Sequence, residues 1–183
     1  MRRAVFFDRD GTLILEKEYL HRIDQVAFFP GALAGLKRLS AAKFVLIMIT
    51  NQSGVGRGYF TLEEVEAVHQ YIARAMRSEG FELAKVYVAP EAPDQPSRGR
   101  KPSPAFLFDA RDEFGIDLAQ SYMIGDKLID VQCGSNAGVK KSILVRTGYG
   151  AGVEKENAVL LKDAVIVDHI AAAAELILHD PAA

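Results

Sequence analysis

The sequence predicts an α/β fold, a parallel sheet with helices on both of its faces. Three observations carry this. Strand-like and helix-like segments alternate along the chain, the order that builds parallel sheets. The strand-like runs Ala4–Phe7 and 44–49 are almost continuously apolar, as strands buried on both faces are. The first and fourth of these runs stop abruptly at carboxylates, and the carboxyl rim of an open α/β sheet is where ligands bind.

Each element follows from its residues. The first strand, Ala4–Phe7, is cut by Asp8 and by the Gly11-Thr12 turn. Residues 31–43 read as a helix, with Leu33, Leu36 and Leu39 on one face. Residues 44–49 form the second strand. Thr61-Leu62-Glu63-Glu64 is a capping box that opens a helix running to about Glu79, where Gly80 ends it. Residues 86–88 form the third strand, and 90–102 a loop rich in proline. Ser103-Pro104 starts a helix, with Ser as cap and Pro at the first helical position. Residues 122–124 are the fourth strand, 127–137 a helix closed by Gly138, and 142–145 the fifth strand. Residues 164–167 form a sixth, and Asp168 caps a final Ala-rich helix. The polar, irregular stretches 13–29 and 89–102 are placed to overhang the active rim.

The 183 residues suit a single domain, 1–183, large enough for a proper core. A net charge of −2 gives no basic field for nucleic acid. The single Cys133 excludes an internal disulfide, fits a reducing compartment and reads as a small packed residue. No segment is long enough to span a membrane, and the four apolar residues before Asp8 are too few for a secretory signal. These features predict a cytoplasmic protein with no nucleic-acid or membrane partner.

Four strand ends carry chemistry. The first ends in Asp8-Arg9-Asp10-Gly11-Thr12, where two acids suit a hard cation, and a carboxylate can also attack phosphorus. The same letters could begin a calcium loop, but the bidentate Glu such a loop needs at its twelfth position is here Tyr19. The second strand ends in Thr50-Asn51-Gln52-Ser53-Gly54, followed by Arg57. A hydroxyl, an amide, exposed backbone N–H groups and a guanidinium form a phosphate cradle; alone, the segment is also an ordinary flexible turn.

After the third strand, Arg98-Gly99-Arg100-Lys101-Pro102 is either a solvated basic surface or, just before a helix start, a source of one lysine that neutralises phosphoryl charge. The fourth strand ends in Gly125-Asp126-Lys127-Leu128-Ile129-Asp130. Asp126 would complete a Mg²⁺ site with Asp8. Asp130 is either part of that site or a surface acid compensating the helix dipole. In a parallel sheet all four ends converge on one rim. The four histidines lack metal-ligand spacing, and only His21, in the first irregular loop, is a candidate for substrate contact.

These four motifs resemble those of the haloacid dehalogenase superfamily of phosphohydrolases, across essentially the whole chain. Their wording is most similar to the D-glycero-D-manno-heptose bisphosphate phosphatases and the histidinol-phosphate phosphatases; Val145-Arg146-Thr147-Gly148 also matches a fifth-strand ending of that group. The resemblance implies a Rossmann-like fold without a large cap domain. It implies Mg²⁺-dependent phosphomonoester hydrolysis in carbohydrate metabolism, within lipopolysaccharide precursor synthesis. Asp8 would be the nucleophile and Asp10 the general acid and base. Thr50 and Lys101 would hold the phosphoryl group, while Asp8, the Asp10 carbonyl and Asp126 hold Mg²⁺. Asn51, Gln52, Ser53, Arg57, Arg100 and Lys127 are candidates for binding a small phosphorylated sugar, by a monomer.

The same resemblance implies a structural zinc in the loop before Arg100-Lys101-Pro102. Ala89, Glu91, Ser97 and Gly99 occupy the positions of its thiolates and imidazole, so no zinc is expected. Two rivals remain, another sugar-phosphate or histidinol-phosphate phosphatase, and a non-catalytic phospho-ligand or signalling domain.

Overall fold

The computed structural model describes residues 1–181. Six parallel strands lie in the order β3-β2-β1-β4-β5-β6. They are β1 (Ala4–Phe7), β2 (Val45–Asn51), β3 (Lys85–Ala89), β4 (Tyr122–Gly125), β5 (Lys141–Val145) and β6 (Val165–Val167). The chain steps outward from β1 to β2 and β3, then crosses back to β4 and steps outward the other way. The strand order therefore reverses between β1 and β4, and a crevice opens there at the carboxyl ends. Phe7 pairs with Met48 of β2 on one side and Ile124 of β4 on the other, so β1 is central and wholly buried.

Alternate residues of each central strand face opposite layers. Val5 and Phe7, with Leu46 and Met48, pack under α1 (Ala32–Ala41), α3 (Leu62–Ser78) and α7 (Ile170–His179). Ala4 and Phe6, with Val45, Ile47 and Ile49, pack under α4 (Ala105–Phe114) and α5 (Leu128–Ala137). These two layers are the helices-on-both-faces arrangement read from the apolar runs. Cys133 lies fully buried in the second layer, where burial pushes its thiol up to about 12, which keeps it protonated and unreactive.

The capping box is present, with Glu64 N donating to Thr61 Oγ1 and Thr61 N to Glu64 Oε2. Other boundaries shift. The helix expected from Pro104 begins at Ala105, with Pro104 itself as the cap. The cap of α7 is His169, whose Nδ1 accepts from Ala172 N; Asp168 instead accepts from Arg146 at 2.7 Å, because β5 and β6 pair and bring the two residues together. The short helices α2 (Ser53–Gly56) and α6 (Gly150–Glu156), both in glycine-rich sequence, carry no apolar period that would announce them. Among the described residues no large cap domain interrupts the sheet, and no helix is long and apolar enough to cross a membrane.

Candidate active site

Asp8 follows β1 directly and its N–H donates to the Ile124 carbonyl of β4 at 2.9 Å, which hangs its side chain in the switch-point crevice. Asp126 follows β4 into the same place. Asp130, in the first turn of α5, completes a buried cluster in which one oxygen from each of the three carboxylates lies within 4.8 Å of the others. Two glycines allow this density. Gly11 and Gly148 sit at φ +80° and +58°, and a Cβ on either would fall 2.2 Å from Asp126 Oδ2.

Lys101 is the buried cation of this cluster. Its Nζ lies 2.8 Å from Asp8 Oδ1 and 2.6 Å from Asp130 Oδ1, and donates to the Ile49 carbonyl at 2.9 Å. Burial alone would lower its pKa, but Asp130 and Asp8 outweigh that and hold it above the usual lysine value. Asn51 fixes the same residue from the backbone, its Oδ1 accepting from Lys101 N at 3.1 Å and its Nδ2 donating to Lys101 O at 3.3 Å.

Negative charge is still in excess. Burial, then the Asp8 and Asp130 carboxylates, push Asp126 up to about 8. Its Oδ2 accepts from Tyr149 N, while its Oδ1 is buried with no hydrogen-bond partner. Asp130 Oδ2 accepts from Lys127 N at 2.9 Å, while its Oδ1, 2.6 Å from Lys101 Nζ, has no aligned hydrogen bond. Orphaned carboxylate oxygens among buried acids fit a hard divalent cation such as Mg²⁺. Asp130 Oδ1 already faces the Lys101 ammonium, whereas Asp126 Oδ1 is paired with no lysine or arginine among the described residues. The dipole-compensating surface role considered for Asp130 does not apply, since the residue is fully buried.

Asp10 is not one of the three clustered carboxylates. Its carboxylate accepts from Arg9 Nε at 2.8 Å and from Gln52 Nε2 at 3.0 Å, at the floor of a cleft of about 240 Å³. Gln52 also donates to Thr50 Oγ1 at 2.8 Å, so it joins the end of β2 to Asp10 from a buried position. Ser53, Asn51 and Lys127 line the cleft. Lys127 Nζ lies 3.4 Å from Glu16 and 4.8 Å from the centre of the Tyr149 ring. Burial raises the Glu16 pKa despite that lysine.

Arg57 and Arg100 do not line this cleft; the Arg100 guanidinium donates to the Glu91 carbonyl at 3.0 Å. His21 stacks on Phe60 at 4.9 Å and so backs the cleft wall. Glu16 and Tyr149 escaped the sequence reading because nothing but tertiary packing brings them to the rim. Arg9, by contrast, stands inside the first motif.

The loop before Lys101 carries a donor set that does not fit zinc. Ser97 Oγ donates to Glu91 Oε2 at 2.7 Å, and Arg100 N donates to Ser97 Oγ at 3.2 Å. Gly99 packs against Phe106, where a Cβ would fall 2.1 Å from the ring. There is no thiolate or imidazole at these positions.

Fold and site together define a hydrolase of the haloacid dehalogenase type, with acids at a sheet switch point and a buried lysine between them. A model of the HAD-hydrolase-like family matches residues 99–173. The D-glycero-beta-D-manno-heptose-1,7-bisphosphate 7-phosphatases of Salmonella typhi and Escherichia coli K12 are each 38% identical over 162 residues. That alignment covers 85% of this chain and 86% and 85% of theirs. The D,D-heptose 1,7-bisphosphate phosphatase from B. bronchiseptica, solved with magnesium and phosphate, superposes with a TM-score of 0.91 at 29% identity, over 98% of this chain and 99% of that one. The chain belongs to the family of these heptose-bisphosphate phosphatases, within the haloacid dehalogenase superfamily.

Proposed function

We propose that this protein is a Mg²⁺-dependent phosphomonoesterase that removes the 7-phosphate of D-glycero-D-manno-heptose 1,7-bisphosphate, as a single-domain monomer in the cytoplasm. The observation that carries the reading is the convergence of Asp8, Asp126 and Lys101 in one buried cluster beside a polar cleft floored by Asp10. The substrate follows from the names of the relatives, and from a cleft whose acids, lysine and aromatic rings suit a polyhydroxylated phosphate ester.

The chain's own groups divide the work. An Asp8 carboxylate oxygen bonds to phosphorus as the phosphorus–sugar oxygen bond breaks, and Asp10 gives its proton to the departing sugar oxygen. Water then attacks the phosphorus of the aspartyl-phosphate, Asp10 takes the water proton, and the bond to Asp8 breaks to release phosphate. Lys101 holds positive charge against the transferring oxygens, and Thr50, fixed by Gln52, offers its hydroxyl. Ser53, Asn51 and Lys127 would orient the ester, with Arg57 and Arg100 meeting parts of a substrate that project beyond the cleft. Asp8, the Asp10 carbonyl and Asp126 would hold Mg²⁺, which when bound offsets the repulsion between the Asp8 carboxylate and the phosphate dianion.

The test is phosphate release with and without Mg²⁺ from both anomers of the heptose bisphosphate, beside histidinol phosphate and fructose 1,6-bisphosphate. Preference for a heptose anomer is expected, the beta anomer first, after the names of the relatives. Release only from another ester would discard the substrate and keep the reaction. No release from any would favour a phospho-ligand binding domain.

A further inference from the structure

Arg9 is the largest of the fully buried side chains, yet no role above requires it. Its planar fork reaches acceptors from three separate parts of the fold. Nε donates to Asp10 Oδ2 at 2.8 Å, and Nη2 points to Asp10 Oδ1 at 3.2 Å, to the Leu20 carbonyl at 2.9 Å and to Gln52 Oε1 at 3.0 Å. Nη1 lies 3.2 Å from Nε2 of His69, a buried residue of α3. Since a guanidinium only donates, His69 Nε2 is the acceptor and its ring proton sits on Nδ1. Burial, then the Arg9 charge, hold His69 down at about 3, so the ring stays neutral and keeps that acceptor.

The two oxygens of Asp10 are not equivalent in this grip. Oδ2 takes the two short bonds, from Arg9 Nε and Gln52 Nε2, while Oδ1 has only the 3.2 Å contact to a crowded Nη2. A carboxyl that must give and take a proton needs one oxygen fixed and one free to carry it. Resting on the phosphatase reading above, we infer that Arg9 and His69 are positioning residues for proton transfer, fixing Asp10 through Oδ2 so that Oδ1 carries the proton exchanged with the leaving oxygen and with water. Arg9 has no other carboxylate within bonding distance among the described residues. A shift of its fork would move the carboxyl, and proton transfer is sensitive to such shifts.

The experiment separates proton transfer from general integrity. The ratio kcat/KM reports the steps up to departure of the leaving group. A sugar phosphate needs a proton there, and p-nitrophenyl phosphate does not. His69→Leu removes the acceptor for Arg9 and is expected to lower kcat/KM for the sugar phosphate about tenfold, and for the nitrophenyl ester by no more than about twofold. His69→Gln keeps an acceptor and should restore the balance between the two esters. Arg9→Lys loses the fork and should show the same selective loss, and it decides the matter if His69→Leu does not fold by circular dichroism. Equal losses on both esters, or no loss on either, would overturn the inference and leave the phosphatase reading intact. Wild-type protein with no Mg²⁺-dependent turnover of either ester would overturn the reading itself.

Discussion

Lys101 Nζ lies 2.6 Å from Asp130 Oδ1 while its other carboxylate partner, Asp8, stands at 2.8 Å, and none of the three side chains is appreciably exposed. Asp130 thus holds the lysine that faces the proposed nucleophile. Lys101→Met leaves Asp8 and Asp130 buried without their shared cation, which costs about 3–5 kcal/mol. Asp130→Ala leaves Lys101 paired with Asp8 but removes one of the two carboxylates that fix it and the acceptor of Lys127 N. It should therefore lower the denaturation midpoint by less and lower kcat, and Lys101→Met should lower kcat further. Urea melts beside steady-state kinetics check this; a fully active, fully stable Asp130→Ala protein would contradict it.

Asp126 sets a pH dependence of stability. Its folded pKa, raised to about 8 by burial and by Asp8 and Asp130, exceeds the 3.8 of an unperturbed carboxyl. Between those values the folded state binds a proton that the unfolded chain has lost, so metal-free protein loses stability as pH rises from about 4 to about 8. Mg²⁺ offsets the repulsion and should flatten that decline. Melting temperatures across the range, with Mg²⁺ and with a chelator, test the sign; identical slopes would count against a cation at Asp126.

Gly11 and Gly148 brace Asp126 from two sides, both in the left-handed region. Gly148→Ala or Gly11→Ala should cost about 1–3 kcal/mol from the backbone conformation alone. Each should also weaken Mg²⁺ binding, because the new methyl meets Asp126 Oδ2. Calorimetric titration with Mg²⁺ reads the second effect separately from the first.

The loop at which the family resemblance implies a zinc site is tied here by Ser97, Glu91 and Arg100. Elemental analysis should find no stoichiometric zinc, and a zinc-selective chelator should leave the Mg²⁺-supported activity unchanged. Ser97→Ala should loosen the loop, seen as faster amide exchange over residues 91–100, at a cost of about 1 kcal/mol per hydrogen bond lost.

Much of this was legible in the chain. The apolar runs and the acids that end them located the central strands, and the Thr61–Glu64 box located the start of α3. The four motifs also named most of the residues that now surround the crevice. What escaped is tertiary. His169 took the cap of α7 because the β5–β6 pairing drew Asp168 to Arg146. Arg9 drew no reading of its own between the two aspartates, since only the approach of α3 and the end of β2 reveals its partners. Asp130 could be read either way until α5 packed it against Lys101.

Asp8 is proposed to accept the phosphoryl group and Asp10 to move the protons. Asp10→Asn mixed with p-nitrophenyl phosphate and Mg²⁺ tests it most directly, because that leaving group needs no acid whereas hydrolysis of the aspartyl-phosphate needs a base. A burst of about one equivalent of nitrophenolate is expected, followed by slow turnover. In an acid-quenched digest, the peptide containing Asp8 should be heavier by one phosphoryl group. No burst and no adduct, or an adduct on another residue, would contradict it.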